Sequence, residues 1–100
     1  MASTPEKKVK ETVKKTLDVM GIWHFSPYQA GMGRAGIPDI IACYAGRFVA
    51  IECKAGKGKT TALQEREIDA IRRALGLAFI INEDNMHNLK ELLQWNNDEH

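Results

Sequence analysis

Asp39, Glu52 and Lys54 are the residues of this 100-residue chain whose types and spacing can do chemistry together. Asp39-Ile-Ile-Ala-Cys-Tyr44 and Arg47-Phe-Val-Ala-Ile-Glu-Cys-Lys54 read as two strands separated by Ala45-Gly46, and a two-residue connection containing glycine is a hairpin signal. With that turn Tyr44 faces Arg47, Cys43 faces Phe48, and each step moves one residue along both strands. Asp39 then stands opposite Glu52, with Cβ atoms roughly 5 Å apart. Lys54, two residues beyond Glu52, projects from the same face. Facing carboxylates repel unless something positive lies between them. Hard divalent cations, Mg2+ or Mn2+, take oxygen ligands of this kind. The plainer alternative is that Lys54 neutralises one acid and solvent takes the other.

Helical phase adds two side chains to the cluster. At about 100° per residue Glu6 falls within the arc of Val9, Val13, Leu17 and Met20, whereas Glu11 points to the opposite side. Glu6 is therefore either half of a capping box with Ser3 or a carboxylate that reaches a metal on the sheet. Gln64 has the same two readings. It caps a helix together with Thr61, or its amide orients Lys54, a water or a phosphate oxygen. Candidate phosphate-backbone contacts are Arg34, Lys57, Lys59 and Thr61, while Lys7, Lys8, Lys10, Lys14 and Lys15 read as the wet face of the first helix. Few of these residues could read base edges, so recognition by shape rather than by sequence is expected.

The elements that must position these residues are marked along the chain. Ser3 or Thr4, then Pro5, open a helix that Gly21 stops. Ile22 to Ser26 reads as a short strand, and Pro27 to Gly36, with Gly31, Gly33 and Gly36, as a loop. After the hairpin and a glycine-lysine loop, Thr60 or Thr61 caps a helix with Leu63, Ala70, Ile71, Ala74 and Leu75 as its apolar stripe. Leu77 to Ile81 is a further strand. A last helix from Asp84 carries Met86, Leu89, Leu92 and Leu93, and 96–100 reads as a frayed tail. The order α-β-β-β-α-β-α predicts an α/β fold, a mixed sheet covered by helices on both sides, because the hairpin strands are apolar on both faces.

One hundred residues make a single domain, 1–100. Hydrophobic residues at 44%, charged residues at 27% and a net charge of +1 describe an ordinary globular chain, so any nucleic-acid contact needs unevenly placed cations. Cys43 and Cys53 lie in apolar runs and read as reduced, buried thiols; Trp23 reads as core. No stretch is long and apolar enough to span a membrane and the start has no signal-peptide core, so a cytoplasmic protein is expected.

Ile37-Pro38-Asp39 followed by Glu52-Cys53-Lys54 resembles the PD-(D/E)xK nuclease signature. The longer set Gly36-Ile-Pro-Asp-Ile-Ile, Gly46-Arg, Ile51-Glu-Cys-Lys-Ala and Gln64 is similar to the virus-type replication-repair nuclease (VRR-NUC) domain, in its compact phage and bacterial form, from Glu6 to about Asp84. The resemblance implies a restriction-endonuclease-like fold and Mg2+- or Mn2+-dependent hydrolysis of phosphodiesters in branched or flapped DNA. It implies that Asp39, Glu52, the Cys53 main-chain carbonyl and Glu6 bind metal, that Lys54 positions or activates the attacking water, and that Gln64 is the family's helix glutamine. A Holliday junction is the favoured substrate, with flap cleavage or nicking next. Symmetric incision of a junction needs two active sites, hence an expected homodimer. A non-catalytic DNA-binding module is opposed by intact Asp39, Glu52 and Lys54; an acyl or sugar hydrolase lacks a nucleophile elbow and an aromatic-rich groove.

Overall fold

The first helix, α1 (Pro5–Val19), begins as its sequence dictates: the Thr4 hydroxyl accepts the Lys7 N–H at 3.1 Å and Pro5 occupies the first helical position. The computed structural model describes residues 4–28 and 33–98, so the capping box expected with Ser3 lies outside the described residues. Val9, Val13 and Leu17 are fully buried along one stripe of α1. Strand β1 (Trp23–Phe25) follows, then β2 (Ile40–Tyr44) and β3 (Arg47–Cys53).

The β2–β3 hairpin adopts the expected register, from Tyr44↔Arg47 to Ile40↔Ile51, which continues to Asp39 beside Glu52. Ala45 (φ 51°) and Gly46 (φ 80°) both take positive φ. Such a turn matches the right-handed twist of its strands, and Ala45 adopts it against its own preference.

Helix α2 (Ala62–Arg73) carries the chain over to β4 (Leu77–Ile81), and a 3-10 turn (Met86–Asn88) leads into α3 (Leu89–Asp98). The sheet order is β1-β2-β3-β4, antiparallel except for the parallel β3–β4 pair. The last helix thus starts later than Asp84 and runs to Asp98, into the segment expected as a tail. The mixed sheet with flanking helices is the expected fold.

Register sorts the side chains by face. Ile40, Ala42, Val49, Ile51, Cys53, Leu77 and Ile81 face α1 and α3, where they form the main core with Val9, Val13, Leu17, Leu89 and Leu93. On the other face Ala50 and Ala78 pack with Ile68 of α2, flanked by Ile41, Ile71 and Ile80. That helix lies against β4 and leaves the β1 side of the face uncovered. Trp23, Phe25, Cys43 and Phe48 are consequently exposed, which corrects the expectation of a core tryptophan, two buried thiols and helices over the whole of both faces. The α2 stripe is also rotated from the expected one: Glu67 and Ile68 are buried, whereas Leu63 and Leu75 are exposed. Glutamate is not a core residue unless it is paired, and the partner of Glu67 is 33 positions away.

Candidate active site

Asp39, Glu52 and Lys54 meet at one end of the sheet, where β3 exits and β2 begins. Asp39, immediately before β2, accepts the Cys53 backbone N–H on Oδ2 at 2.8 Å, and Lys10 Nζ lies 3.4 Å from Oδ1. Glu52 is 2% exposed, and among the described residues no donor reaches either of its buried carboxylate oxygens. A buried carboxylate that no donor reaches is costly, so burial favours its protonated form, which can donate to Asp39. Burial first, then a side-chain hydrogen bond with Asp39 and the charge of that carboxylate, push the Glu52 pKa up to about 8, against the pull of the Lys54 charge. Lys54 is half-buried; its N–H donates to the Ile81 carbonyl at 2.9 Å, which fixes its backbone. Its ammonium group has no hydrogen bond or ion pair among the described residues.

Several expected participants are placed differently. Glu6 is exposed on the first turn of α1, and its charge is felt at the Cys53 thiol, but it makes no ion pair with the site. Among the described residues no three acids, histidines or cysteines come close enough together to hold a metal ion. Lys10, one turn on, reaches Asp39 instead, so it does not belong to the wet face. At about 100° per residue it borders the Val9–Leu17 stripe, the signal that could have found it. The Cys53 main chain holds Asp39, while its thiol sits in the opposite core and is pushed up to about 12, by burial first and then by Asp39.

Gln64 forms the capping box: its Oε1 accepts the Thr61 N–H at 2.9 Å, and its own N–H donates to the Thr61 hydroxyl at 3.2 Å. The cap thus engages the Gln64 carbonyl and the Thr61 hydroxyl, and leaves the Gln64 amide nitrogen free among the described residues. Arg34 is likewise engaged. Its Nε lies 2.7 Å from Glu67 Oε1 and its Nη2 donates to Oε2 at 3.1 Å, with Arg66 Nε at 3.4 Å on the same carboxylate. Lys57 and Lys59 stay exposed and unpaired among the described residues. Their loop is tied down by Glu83, whose carboxylate accepts the Gly56 N–H at 2.9 and 3.2 Å and is held below its usual pKa by that bond. Glu67 and Glu83 were not legible as site supports. Nothing local marks Glu83; only the parallel pairing of β3 and β4 brings the two loops together.

Gly36 explains how the segment before Asp39 is seated. Its φ is +81°, and a Cβ there would lie 2.5 Å from the Leu63 carbonyl oxygen. Only glycine lets this loop press against the first turn of α2. Arg34, two residues earlier, clamps the same helix through Glu67.

Residues 11–93 match the family model of the archaeal Holliday junction resolvase (Hjc). The chain belongs to this family. The Hjc fold of this chain is shared by solved structures of two VRR_NUC domains. One has 22% identity and a TM-score of 0.75, covering 89% of this chain and 97% of the other. The second has 18% identity and a TM-score of 0.65, covering 95% and 89%. Comparison with curated proteins finds no match. The likeness to the VRR-NUC fold expected from the Gly36–Asp39 and Glu52–Lys54 segments is therefore present, within a resolvase family.

The donor set of this Hjc family member suits a divalent cation. Glu52 offers two buried oxygens that no donor satisfies among the described residues, and Asp39 stands beside it. Mg2+ is commonly held by one or two carboxylates, with water and phosphate completing its shell, so a third protein acid is not required.

Proposed function

We propose that the chain is a divalent-metal-dependent, structure-selective DNA endonuclease, with four-way junctions as its first substrate and flaps or nicked structures next. The observation that carries the reading is Glu52, buried beside Asp39 at the end of the sheet with no donor to either oxygen among the described residues. A carboxylate so placed destabilises the fold unless it is protonated or neutralised by a cation. Asp39 and Glu52 are the residues that would hold Mg2+ or Mn2+, with the Cys53 main-chain carbonyl; Glu6 reaches the site only if its side chain swings in. Bound there, the ion supplies Lewis-acid polarisation of the phosphodiester and acidifies water.

The chain's own groups do the rest. Cys53 N–H and Lys10 fix the Asp39 carboxylate. Lys54, on the face of Glu52, orients the attacking water or a phosphate oxygen through its positive charge. The free amide nitrogen of Gln64 is the second donor on that side. Lys57 and Lys59 hold flanking phosphates next to the α2 N-terminus, where the helix dipole favours negative charge. Arg34 joins them through the part of its guanidinium that Glu67 leaves exposed. Opposed cuts in a four-way junction need two such sites, so the active species is a homodimer.

Cleavage of a four-way junction, a flap and linear duplex by wild type and Asp39→Ala, with Mg2+, Mn2+ or chelator, tests the reading. Cleavage of the branched substrates by wild type alone, abolished by chelator, is expected. Activity that survives chelator or Asp39→Ala would contradict it.

A further inference from the structure

The lysines on the outer side of α1 are not used by the nuclease chemistry, and one groove beside them is more than a solvated face. It runs between α1 and α3 and encloses about 740 Å3. Thr12, Thr16 and Met20, all half-buried, form its floor, and Val19, 81% exposed, extends that floor. Each threonine spends its hydroxyl donor within the helix: Thr12 Oγ1 donates to the Lys8 carbonyl at 3.0 Å and Thr16 Oγ1 to the Thr12 carbonyl at 3.1 Å. The floor therefore offers methyl groups and a thioether, and no side-chain donor. Lys15, His87 and Lys90, all exposed, stand around it. None of the three makes a side-chain hydrogen bond or ion pair among the described residues, and no described acid lines the groove. Asp18, on the same half of α1, is held instead by His24 Nε2 at 2.7 Å.

We infer that this groove docks a short acidic helix of a partner protein, with its apolar side chains on the floor and its carboxylates against Lys15, His87 and Lys90. Charge complementarity selects the sign of the occupant: three basic side chains border the groove, and no described acid among the lining residues balances them. The floor selects its class. Phosphates of a nucleic acid are held by converging donors, and here the donors stop at the rim, beside apolar surface that a sugar-phosphate strand would leave wet. A segment with apolar anchors at i, i+3 and i+4 covers that surface, as helices do when they lie in grooves. The volume falls within the roughly 300–1,000 Å3 of clefts that enclose a ligand. The groove belongs to the layer over the sealed side of the sheet, whereas Glu52 and Lys54 project from the other side. A docked helix therefore leaves the carboxylate site open, so docking and cleavage are independent properties of the chain.

Fluorescence anisotropy on the full chain tests this with four labelled probes. The first is a helical peptide of about 14 residues with leucine anchors on one face and glutamates elsewhere. The others are a counterpart with lysine for glutamate, a counterpart with serine for leucine, and a DNA duplex. Wild type is expected to bind the first peptide and neither counterpart. Lys15→Glu combined with Lys90→Glu should weaken that binding at least about tenfold, through reversed charge. Val19→Ser should weaken it about five- to tenfold, through the lost anchor contact, while keeping the charge of the rim. Both variants are at exposed positions and should melt as wild type does by circular dichroism. Amide NMR shifts caused by the first peptide should fall on residues 12–20 and 86–90 and spare Asp39 and Glu52. No binding at about 500 μM, equal binding of the serine counterpart, or wild-type affinity in either variant would overturn it. So would duplex binding that depends on Lys15 and Lys90 when peptide binding does not, which assigns these cations to phosphate.

Discussion

One face of the sheet is sealed and the other is half open, although alternate residues of the same strands build both. Beneath α1 and α3, Val9, Val13, Leu17, Ile40, Val49, Ile51, Ile81, Leu89 and Leu93 are buried into one continuous core. On the α2 side the buried set shrinks to Ala50, Ile68 and Ala78, and the remaining positions are given to a buried acid, a half-buried lysine and exposed aromatics. The sealed face contributes most of the apolar burial, so it can carry the stability. The open face can then hold groups that cost stability: Glu52 without partners, and rings left in water. Structure and chemistry are divided by the parity of the residue number along β3, with Val49, Ile51 and Cys53 on one side and Ala50, Glu52 and Lys54 on the other.

That division can be broken from either side. Leu17→Ala on the sealed face should cost about 2–5 kcal/mol in urea unfolding, from lost transfer energy and the cavity it leaves. Trp23→Ser on the open face should change the stability of the monomer by no more than about 0.5 kcal/mol. Comparable losses for the two would mean that the open face is part of the core. Arg34→Ala should cost about 1–2 kcal/mol by leaving the buried Glu67 carboxylate with Arg66 alone. It should also reduce cleavage by loosening the loop before Asp39, and Arg34→Lys should restore only part of both. The smallest effect lies at the hairpin turn, shared by both faces. Replacing Ala45, at φ 51°, with Asn should add about 0.5–1 kcal/mol, because Asn-Gly suits a turn with two positive φ values. A melting temperature that falls would contradict the turn assignment.

How much of this could be read from the residues follows from the range of the forces involved. The hairpin register was legible because a two-residue turn and a period of two leave one pairing, and that pairing put Asp39 beside Glu52. The α1 stripe was legible for the same local reason. Glu67 was not, since its burial depends on Arg34, a long-range partner on a loop. Lys10 stood at the border of a stripe, where a small rotation of the helix decides between solvent and Asp39. Trp23 was expected inside because tryptophan in a short apolar run usually packs. Whether it does depends on how far across the sheet α2 extends, and no local pattern encodes that. For Gln64 the sequence held two readings; the capping box is present, and its free amide nitrogen keeps the other in play.

Asp39 and Glu52 are proposed to form a site whose buried charge a divalent cation relieves. Without metal, the Glu52 pKa of about 8 in the folded state exceeds its ordinary value of 4.5. The folded state therefore binds more protons than the unfolded state between those values. The contribution of Glu52 to stability is therefore fully present below pH 4.5 and is lost as pH rises through about 8. Cation binding must expel that proton, so it should grow tighter with pH and release up to one proton at pH 7. The most direct measurement is calorimetric titration of Mn2+ at pH 7 in buffers of different ionisation enthalpy, with wild type, Asp39→Ala and Glu52→Gln. Binding with proton release is expected in wild type, and loss of that binding in both variants. Mn2+ binding of equal strength in all three proteins would contradict it.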